Sequence, residues 1–281
     1  MRLLPGVELQ LLAARATVAL AIFMPPRTEP DEVGLEPGYH RKDVEQQESD
    51  NMKIGIIGAG NIGGTLTRRL TALGHAVSVA NSRGPDTLRD LAAQTGATAV
   101  SGIDAARDKD LVVLTIPEKN VPDLPDDLFA GTGDVVIVDT GNYYPQQRDG
   151  RIDAIEDGMV ESRWVEQQLG RPVIKAFNNI YADHLRDHGR PAGTPGRIAL
   201  PVAGDDDNAK AVVMQLIDEL GFDAVDAGSL DESWRQQPGS PIYAADLDAD
   251  GVRRALSEAT PQRSPQWRAT PDSPGGFLDP R

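Results

Sequence analysis

The sequence has no cysteine among its 281 residues. This excludes disulfides, thiolate catalysis and thiolate metal sites, and it agrees with the reducing cytoplasm that we expect as the location. Only four histidines are present, so little side-chain capacity exists for acid–base chemistry near neutral pH. Positive charge is scarce as well: 28 lysines and arginines against 43 aspartates and glutamates give a formal net charge of −15. Such a surface repels phosphate backbones and anionic lipids, so neither nucleic acid nor a membrane is an expected partner.

The two ends of the chain lack the regular pattern of its middle. A short apolar run at 16–24 is too short to span a bilayer, and no small-residue cleavage motif follows it. We therefore interpret residues 1–51 as a disordered or dispensable extension, with a targeting segment and a regulatory arm as alternatives. Residues 261–281 are rich in Pro, Ser and Gly and predict a flexible tail.

Between these ends, apolar runs of strand length alternate with helix-spaced apolar residues. Residues 53–57, 111–116 and 135–138 are apolar on both faces, whereas 62–73 and 208–220 have the spacing of helices. Strands of that kind, alternating with helices, indicate a parallel sheet that is covered on both sides. The predicted fold is α/β: a Rossmann-type, doubly wound, mostly parallel sheet with a small C-terminal extension.

A glycine-rich turn follows the first strand and opens a helix. Its pattern is G-x-G-x-x-G, carried by Gly58, Gly60 and Gly63, with Asn61 and Ile62 between the last two glycines. In a strand–turn–helix context, the first glycine permits the tight turn, the second lets a pyrophosphate approach the backbone, and the third allows close helix packing. These five residues are therefore predicted to bind the pyrophosphate of a dinucleotide.

The end of the second strand indicates which dinucleotide is bound. An NAD site usually places Asp or Glu about twenty residues after the glycines, to hold the ribose 2′-hydroxyl. This chain instead has Asn81, Ser82 and Arg83 there. A hydroxyl, an amide and a guanidinium suit a 2′-phosphate, which a carboxylate would repel. The prediction is NADP(H).

Polar residues also follow the later strands, at the sheet edge where ligands bind in open α/β folds. Their amides and hydroxyls suit a nicotinamide carboxamide, and no Ser-His-Asp order or carboxylate pair accompanies them. The predicted cofactor contacts in these segments are Ile116, Pro117, Thr140, Gly141 and Asn142, and the residues predicted to position the reacting groups are Thr140 and Asn178.

Two histidines, His184 and His188, have helical i, i+4 spacing. No third ligand is signalled in the sequence, so we expect a solvated helix face and no metal.

The segments 52–64, 81–85, 139–142 and 175–179 together resemble the NADPH-dependent coenzyme F-420 reductases and their broader NADP oxidoreductase family. The resemblance covers about residues 52 to 258. It implies an oxidoreductase that transfers hydride between NADPH and the 5-deazaflavin ring of coenzyme F-420, the two rings stacked, and it implies a homodimer. Ring-to-ring transfer needs alignment more than a general acid, which agrees with the scarcity of histidine.

This interpretation divides the chain into the extension, an NADP-binding domain at 52–182, a smaller C-terminal α/β portion at 183–260, and the tail. Two alternatives remain. Lys175-x-x-Asn178 imitates the catalytic pair of β-hydroxyacid dehydrogenases, although that pair lies on a helix and Lys175 lies in an apolar run typical of a strand. The chain could also be a non-catalytic NADP(H)-binding sensor, since a fold and a cofactor site do not prove turnover.

Overall fold

The computed structural model describes residues 51–277, and these are organised around a six-stranded parallel sheet. Its spatial order is β3-β2-β1-β4-β5-β6, with every neighbouring pair parallel. This order reverses direction between β1 and β4, which is the ligand-binding switch point of the Rossmann fold. The predicted fold class is confirmed. The strands are β1 (Lys53–Ile57), β2 (Ala76–Ala80), β3 (Thr98–Ala99), β4 (Leu111–Leu114), β5 (Val136–Asp139) and β6 (Ile174–Lys175).

Helices cover both faces of this sheet. The α-helices are α1 (Asn61–Ala72), α2 (Arg89–Thr95), α3 (Gly102–Ala106), α4 (Asp153–Glu156), α5 (Glu161–Leu169), α6 (Ala182–Asp187), α7 (Asp207–Glu219) and α8 (Ala249–Glu258). Short 3₁₀ helices lie at Pro85–Leu88, Glu118–Asp123, Leu230–Gln236 and Pro265–Trp267, and a π turn lies at Pro145–Asp149. No helix within 51–277 is both long and apolar enough to cross a membrane.

A second, two-stranded parallel sheet consists of β7 (Ala199–Val202) and β8 (Asp223–Asp226), with α7 as the crossover. It joins the edge of the main sheet through an antiparallel bridge between Lys175 and Ala203, whose backbone N–H groups donate to each other's carbonyls at 2.8 and 3.1 Å. The later part of the chain therefore extends the hydrogen bonding of β6.

The two sides of the main sheet have separate apolar cores. Side chains of Ile54 and Ile56 are fully buried in the core that includes α1 and α7, whereas Val112 and Ile137 point into the core on the opposite side, beside α5. Because both faces are buried, the strands need apolar residues at every position, which accounts for their continuous apolar sequence.

Element boundaries differ from the expectation at two places. The apolar run 173–177 forms only a two-residue strand, because the chain turns at Phe177, which has a φ of +61°. Residues 85–94 are also predicted to form a helix, with Pro85 suited to its first turn; this segment begins as a 3₁₀ turn and becomes α-helical at Arg89. In both cases the sequence pattern predicts where the strand or helix lies, and the local backbone geometry determines where it begins or ends.

The described part of the segment 261–281 lies partly against the body of the protein. Ala269 is fully buried, and the Gln146 side-chain amide donates to the carbonyls of Pro265 and Arg268, each at 2.9 Å. Apart from Asn51, the predicted N-terminal extension lies outside the described residues.

Candidate functional site

The glycines of the first turn fall into two kinds by what surrounds them. Gly58 has a φ of +109°, and a Cβ there would lie 2.2 Å from the Thr115 carbonyl oxygen. A Cβ on Gly63 would lie 1.9 Å from the Gly58 carbonyl oxygen. Around Gly60, in contrast, a Cβ would meet nothing within 4 Å. The fold thus requires the outer two glycines, while Gly60 faces open space in which a phosphate could approach the backbone.

The backbone N–H groups at the N-terminus of α1 are available to a ligand in the space beside Gly60. Gly60 is the N-cap residue; it supplies no side-chain cap, and no acidic residue lies in the first turn of the helix. The first N–H groups of a helix have no intrahelical partner, and together with the helix dipole they favour an anion. These features fit the pyrophosphate of a dinucleotide, as predicted for Asn61 and Ile62.

On one side of the glycine turn lies a cleft of about 650 Å³, which we call the β2-side cleft. It contains Asn81, Ser82 and Arg83, as the sequence predicts for the ribose end of the cofactor. Its further lining residues, which sequence reasoning missed, include Ser101, Ile103, Asn120, Asp123 and Leu124. These residues follow β3 and β4 without a motif, so only the folded sheet brings them to the cleft.

The turn after β2 is held in shape by Asn81. Its side-chain oxygen accepts the backbone N–H of Arg83 at 3.0 Å, and its amide nitrogen donates to the Thr87 hydroxyl at 2.9 Å. Asn81 is thus already bonded within the turn, whereas Ser82 and Arg83 are exposed. The two exposed residues are the ones that remain available to a ligand.

Arg83 and Arg89 differ in their partners. Arg89 forms an ion pair with Asp86 at 2.6 Å, whereas Arg83 forms none within residues 51–277. In a protein with a net charge of −15, a cation without a carboxylate partner at the rim of a cleft is a local attraction for an anion. Arg83 is therefore the better candidate for a 2′-phosphate contact.

On the other side of the glycine turn lies the β6-side cleft, of about 480 Å³. It shares Gly60, Thr115, Ile116 and Pro117 with the β2-side cleft, so the two clefts continue around the turn. Both run along the carboxyl ends of the parallel strands, where the switch point lies. The predicted residues that line the β6-side cleft are Gly60, Asn61, Ile62, Ile116, Pro117, Thr140, Gly141, Asn142 and Asn178.

Thr140, Asn142 and Asn178 tie the strand ends together. The Thr140 hydroxyl donates to the Leu114 carbonyl at 3.1 Å. The Asn178 amide nitrogen donates to the Asn142 side-chain oxygen at 3.0 Å and to the Gln236 carbonyl at 2.6 Å, and the Gln236 amide donates back to the Asn178 oxygen at 3.0 Å. The structure thus places Thr140 and Asn178 at the cleft; their role in positioning a substrate stays a prediction.

An aromatic cluster borders the β6-side cleft, and sequence reasoning missed two of its three residues, Tyr243 and Trp267. Tyr144 and Tyr243 line it and share a hydrogen bond between their hydroxyls. The Trp267 ring lies 6.0 Å from the Tyr144 ring and 5.8 Å from the Tyr243 ring, between ring centroids. Burial raises the pKa of Tyr144, and its hydrogen bond to Tyr243 raises it further, so the phenol stays neutral at physiological pH. Tyr144 directly follows the predicted polar segment, but Tyr243 and Trp267 carry no local signal.

Three ion pairs with buried carboxylates lie beside this cleft, and Arg148 of one of them also lines it. Lys175 is fully buried; its Nζ donates to Asp139 at 3.0 Å and to the Gly141 carbonyl at 2.6 Å. Burial acts to lower the pKa of Lys175, but the carboxylates around it, Asp139 first, outweigh this and raise it. The other two pairs, both at 2.9 Å, are Arg148–Asp149 and Arg263–Glu161.

Glu118 is a further buried carboxyl in this region, and within residues 51–277 it forms no ion pair. It is 1% exposed, and within the described part of the chain neither of its oxygens has a hydrogen-bond partner. Burial, and then the negative charge of Asp139, raise the pKa of Glu118 well above its ordinary value. The folded protein therefore favours the protonated form of Glu118 more strongly than an unfolded chain does. A Cβ on Gly141 would lie 2.3 Å from Oε1 of Glu118, so the Glu118 carboxyl fills the space beside Gly141, in the segment predicted to contact the cofactor.

Comparison with known proteins agrees with this geometry. A family described as NADP oxidoreductase, coenzyme F420-dependent, matches residues 53–143, which include the glycine turn, Arg83 and Asn142. A hypothetical protein of known structure, SMa0349 from Sinorhizobium meliloti, is 32% identical, with a TM-score of 0.62 over 71% of this chain and 96% of that one. The chain belongs to this family of NADP oxidoreductases.

Two further relatives are less similar to this chain or match a smaller part of it. A proposed F420-dependent NADP reductase from Arthrobacter sp. FB24 is 24% identical, with a TM-score of 0.54 over 64% of this chain and 86% of that one, and supports the fold alone. The protein YjhV of Escherichia coli (strain K12) is 50% identical over 73 residues, which are 26% of this chain and 53% of that protein. The chain thus matches about half the length of this curated relative.

Proposed function

We propose that the protein is an enzyme that transfers hydride between NADPH and a planar, ring-shaped acceptor, for which coenzyme F420 or a related flavin-like ring is the best candidate. The observation that carries the proposal is the pair of continuous clefts around Gly60, of which the second is lined by both amides and tyrosines. When bound, NADPH supplies the hydride. The protein supplies binding, orientation and exclusion of water.

The choice of NADPH over NADH rests on the β2-side cleft. Ser82 and Arg83 are exposed at the end of β2, and the position usually taken by a ribose-binding carboxylate is occupied by Asn81, which is bonded within its own turn. A guanidinium and a hydroxyl offer donors for a phosphate. The α1 N-terminus offers donors for the pyrophosphate without a competing carboxylate in its first turn.

A flat acceptor is favoured by the composition of the β6-side cleft. Tyr144, Tyr243 and Tyr181 give it apolar ring surfaces, and Asn142 gives it a polar edge. The raised pKa values of Tyr144 and Tyr243 make their hydroxyls weak acids, with burial as the first cause in both. These side chains suit alignment of two rings better than proton transfer.

The hydroxyacid dehydrogenase alternative is disfavoured by the position of Lys175. Its ammonium group is fully buried on β6, bonded to Asp139 and the Gly141 carbonyl, and is not among the residues that line the β6-side cleft. A general base has to reach the proton that it removes, within about 3 Å or through one water. We assign Lys175 a structural role: it holds the backbone of the segment that carries Gly141.

An acceptor panel tests the proposed function. Purified full-length protein is mixed with NADPH and, in separate reactions, a deazaflavin, a flavin, an aldehyde and no acceptor, and with NADP⁺ and a hydroxy acid; absorbance at the nicotinamide band is followed. Turnover with a ring acceptor is expected. Turnover with only the hydroxy acid or aldehyde would support the dehydrogenase alternative, and binding of NADPH without turnover of any acceptor would support a sensor.

The homodimer that the family resemblance implies is part of the proposal as well. Sedimentation equilibrium of the full chain, at concentrations spanning the working range, measures its mass directly. A mass equal to that of one 30.1 kDa chain throughout that range would remove the dimer from the proposal.

A further inference from the structure

One cluster of side chains outside the two clefts brings together two histidines and a carboxylate. His184 and His188 lie on and immediately after α6, and Asp246 lies in the loop that follows Tyr243. The two imidazole rings are stacked, with centroids 4.4 Å apart and planes inclined by 20°. Nδ1 of His184 lies 2.7 Å from Oδ2 of Asp246. The sequence shows only the histidine pair; the fold adds the third group.

The distances in this cluster are close to those of a metal centre. One nitrogen of each histidine and one oxygen of Asp246 lie within 4.8 Å of one another. Ligands at about 2.0–2.2 Å from a tetrahedral ion are about 3.4 Å apart. The side chains of His188 and Asp246 are exposed, so their rotamers are free to adjust towards this spacing.

The charges of the cluster also favour a cation. Histidine binds a metal through a ring nitrogen, and the Asp246 carboxylate adds negative charge beside the two rings. His184 Nδ1 lies near Asp246, but within residues 51–277 it makes no aligned hydrogen bond. The same helix carries Asp183 and Asp187, of which Asp187 pairs with Arg186 at 2.7 Å. The whole protein is strongly negative.

We propose that His184, His188 and Asp246 bind a divalent transition-metal ion of the zinc class, with water completing the coordination. Two imidazole nitrogens and one carboxylate oxygen suit Zn²⁺, Co²⁺ or Ni²⁺, whereas Mg²⁺ and Ca²⁺ prefer all-oxygen sites. Such an ion would join α6 to the 243–246 loop. Tyr181, whose ring meets His184 edge-on at 5.2 Å, and Tyr243 both line the β6-side cleft, so the site lies beside the mouth of that cleft.

Calorimetric titration of the full chain with ZnCl₂ at neutral pH, and with MgCl₂ in parallel, tests the proposal. We expect one equivalent of Zn²⁺ to bind with micromolar or tighter affinity, and no comparable Mg²⁺ binding. His188→Ala and Asp246→Asn should each weaken Zn²⁺ binding at least tenfold. Asp183→Asn is the matched control, because it removes the same charge from a neighbouring residue without removing a ligand, and it should bind Zn²⁺ like the parent protein.

Cobalt gives a second readout that is independent of affinity. Co²⁺ bound to two imidazoles and a carboxylate should produce visible d–d absorption bands, and these should be lost in His188→Ala and Asp246→Asn and retained in Asp183→Asn. Circular dichroism and NADPH binding check that each variant is folded. Absence of Zn²⁺ binding to the parent protein would overturn the proposal. So would unchanged binding in both folded ligand variants, which would locate the ion elsewhere in the chain.

Discussion

Arg83→Ala should shift cofactor preference, because Arg83 is an exposed cation in the β2-side cleft and has no carboxylate partner within residues 51–277. A hydrogen bond to a charged group contributes about 1.5–3 kcal/mol. At about 1.4 kcal/mol per tenfold, its loss weakens NADPH binding by roughly ten- to a hundredfold. Because Arg83 is exposed to solvent, we expect the lower part of that range. NADH has no 2′-phosphate, so its affinity should hardly change.

The assay is quenching of protein fluorescence, or titration calorimetry, with NADPH and NADH on the same preparations. Arg89→Ala is the matched control: Arg89 is also exposed and lies six residues further along, but it is paired with Asp86 at 2.6 Å and does not line the cleft. It should leave the ratio of the two affinities unchanged. The reasoning is refuted if Arg83→Ala weakens NADPH and NADH equally, or if Arg89→Ala changes the ratio as much as Arg83→Ala does.

Three further predictions concern stability. Burial, and then Asp139, raise the pKa of Glu118 in the folded protein, so this group costs stability progressively as pH rises above its ordinary value of about 4.5. Glu118→Gln should therefore become more stable relative to the parent protein as pH rises above that value, measured by urea unfolding, and parallel pH dependences would contradict this. Lys175→Met leaves Asp139 buried and unpaired and should cost about 3–5 kcal/mol; adding Asp139→Asn should recover part of the loss, and a double variant no more stable than Lys175→Met would argue against the pair. A chain that starts at Met52 should melt like the full chain, because β1 begins at Lys53; a large drop in the melting temperature would show that the removed residues pack on the fold.

Local sequence patterns predicted the parts of the site that lie along a short stretch of chain. The glycine turn is specified by three residues within six positions, and the structure gives each of them the surroundings that its part in the motif requires. The Asn81–Arg83 turn is equally local, since it follows a strand of regular length. Continuous apolar strands alternating with helices were sufficient to predict the parallel sheet, because a strand that is buried on both faces needs apolar residues at every position.

The rest of the site depends on contacts between distant residues. Tyr243 reaches the β6-side cleft from beyond the main sheet, and Trp267 packs against its ring. Neither residue has a neighbour in sequence that marks it. Glu118 looks like an ordinary surface residue in the sequence, and only the fold shows that it is buried beside Asp139, with no hydrogen-bond partner for its carboxyl among the described residues. The same holds for Asp246. It is 62 residues from His184 in sequence, and the packing of a loop against α6 brings the two side chains together. No periodic pattern of apolar residues predicts contacts of this kind.

Isotope transfer from NADPH tests the central claim most directly. NADPH labelled with deuterium at the transferred position of the nicotinamide ring is mixed with the enzyme and a deazaflavin, whose reduced carbon retains what it receives. We predict that the deuterium is recovered on the reduced acceptor and that labelled NADPH reacts more slowly, because hydride passes directly between two aligned rings. Reduced acceptor without deuterium, or no reduction of any ring acceptor while a hydroxy acid is oxidised with NADP⁺, would contradict the account.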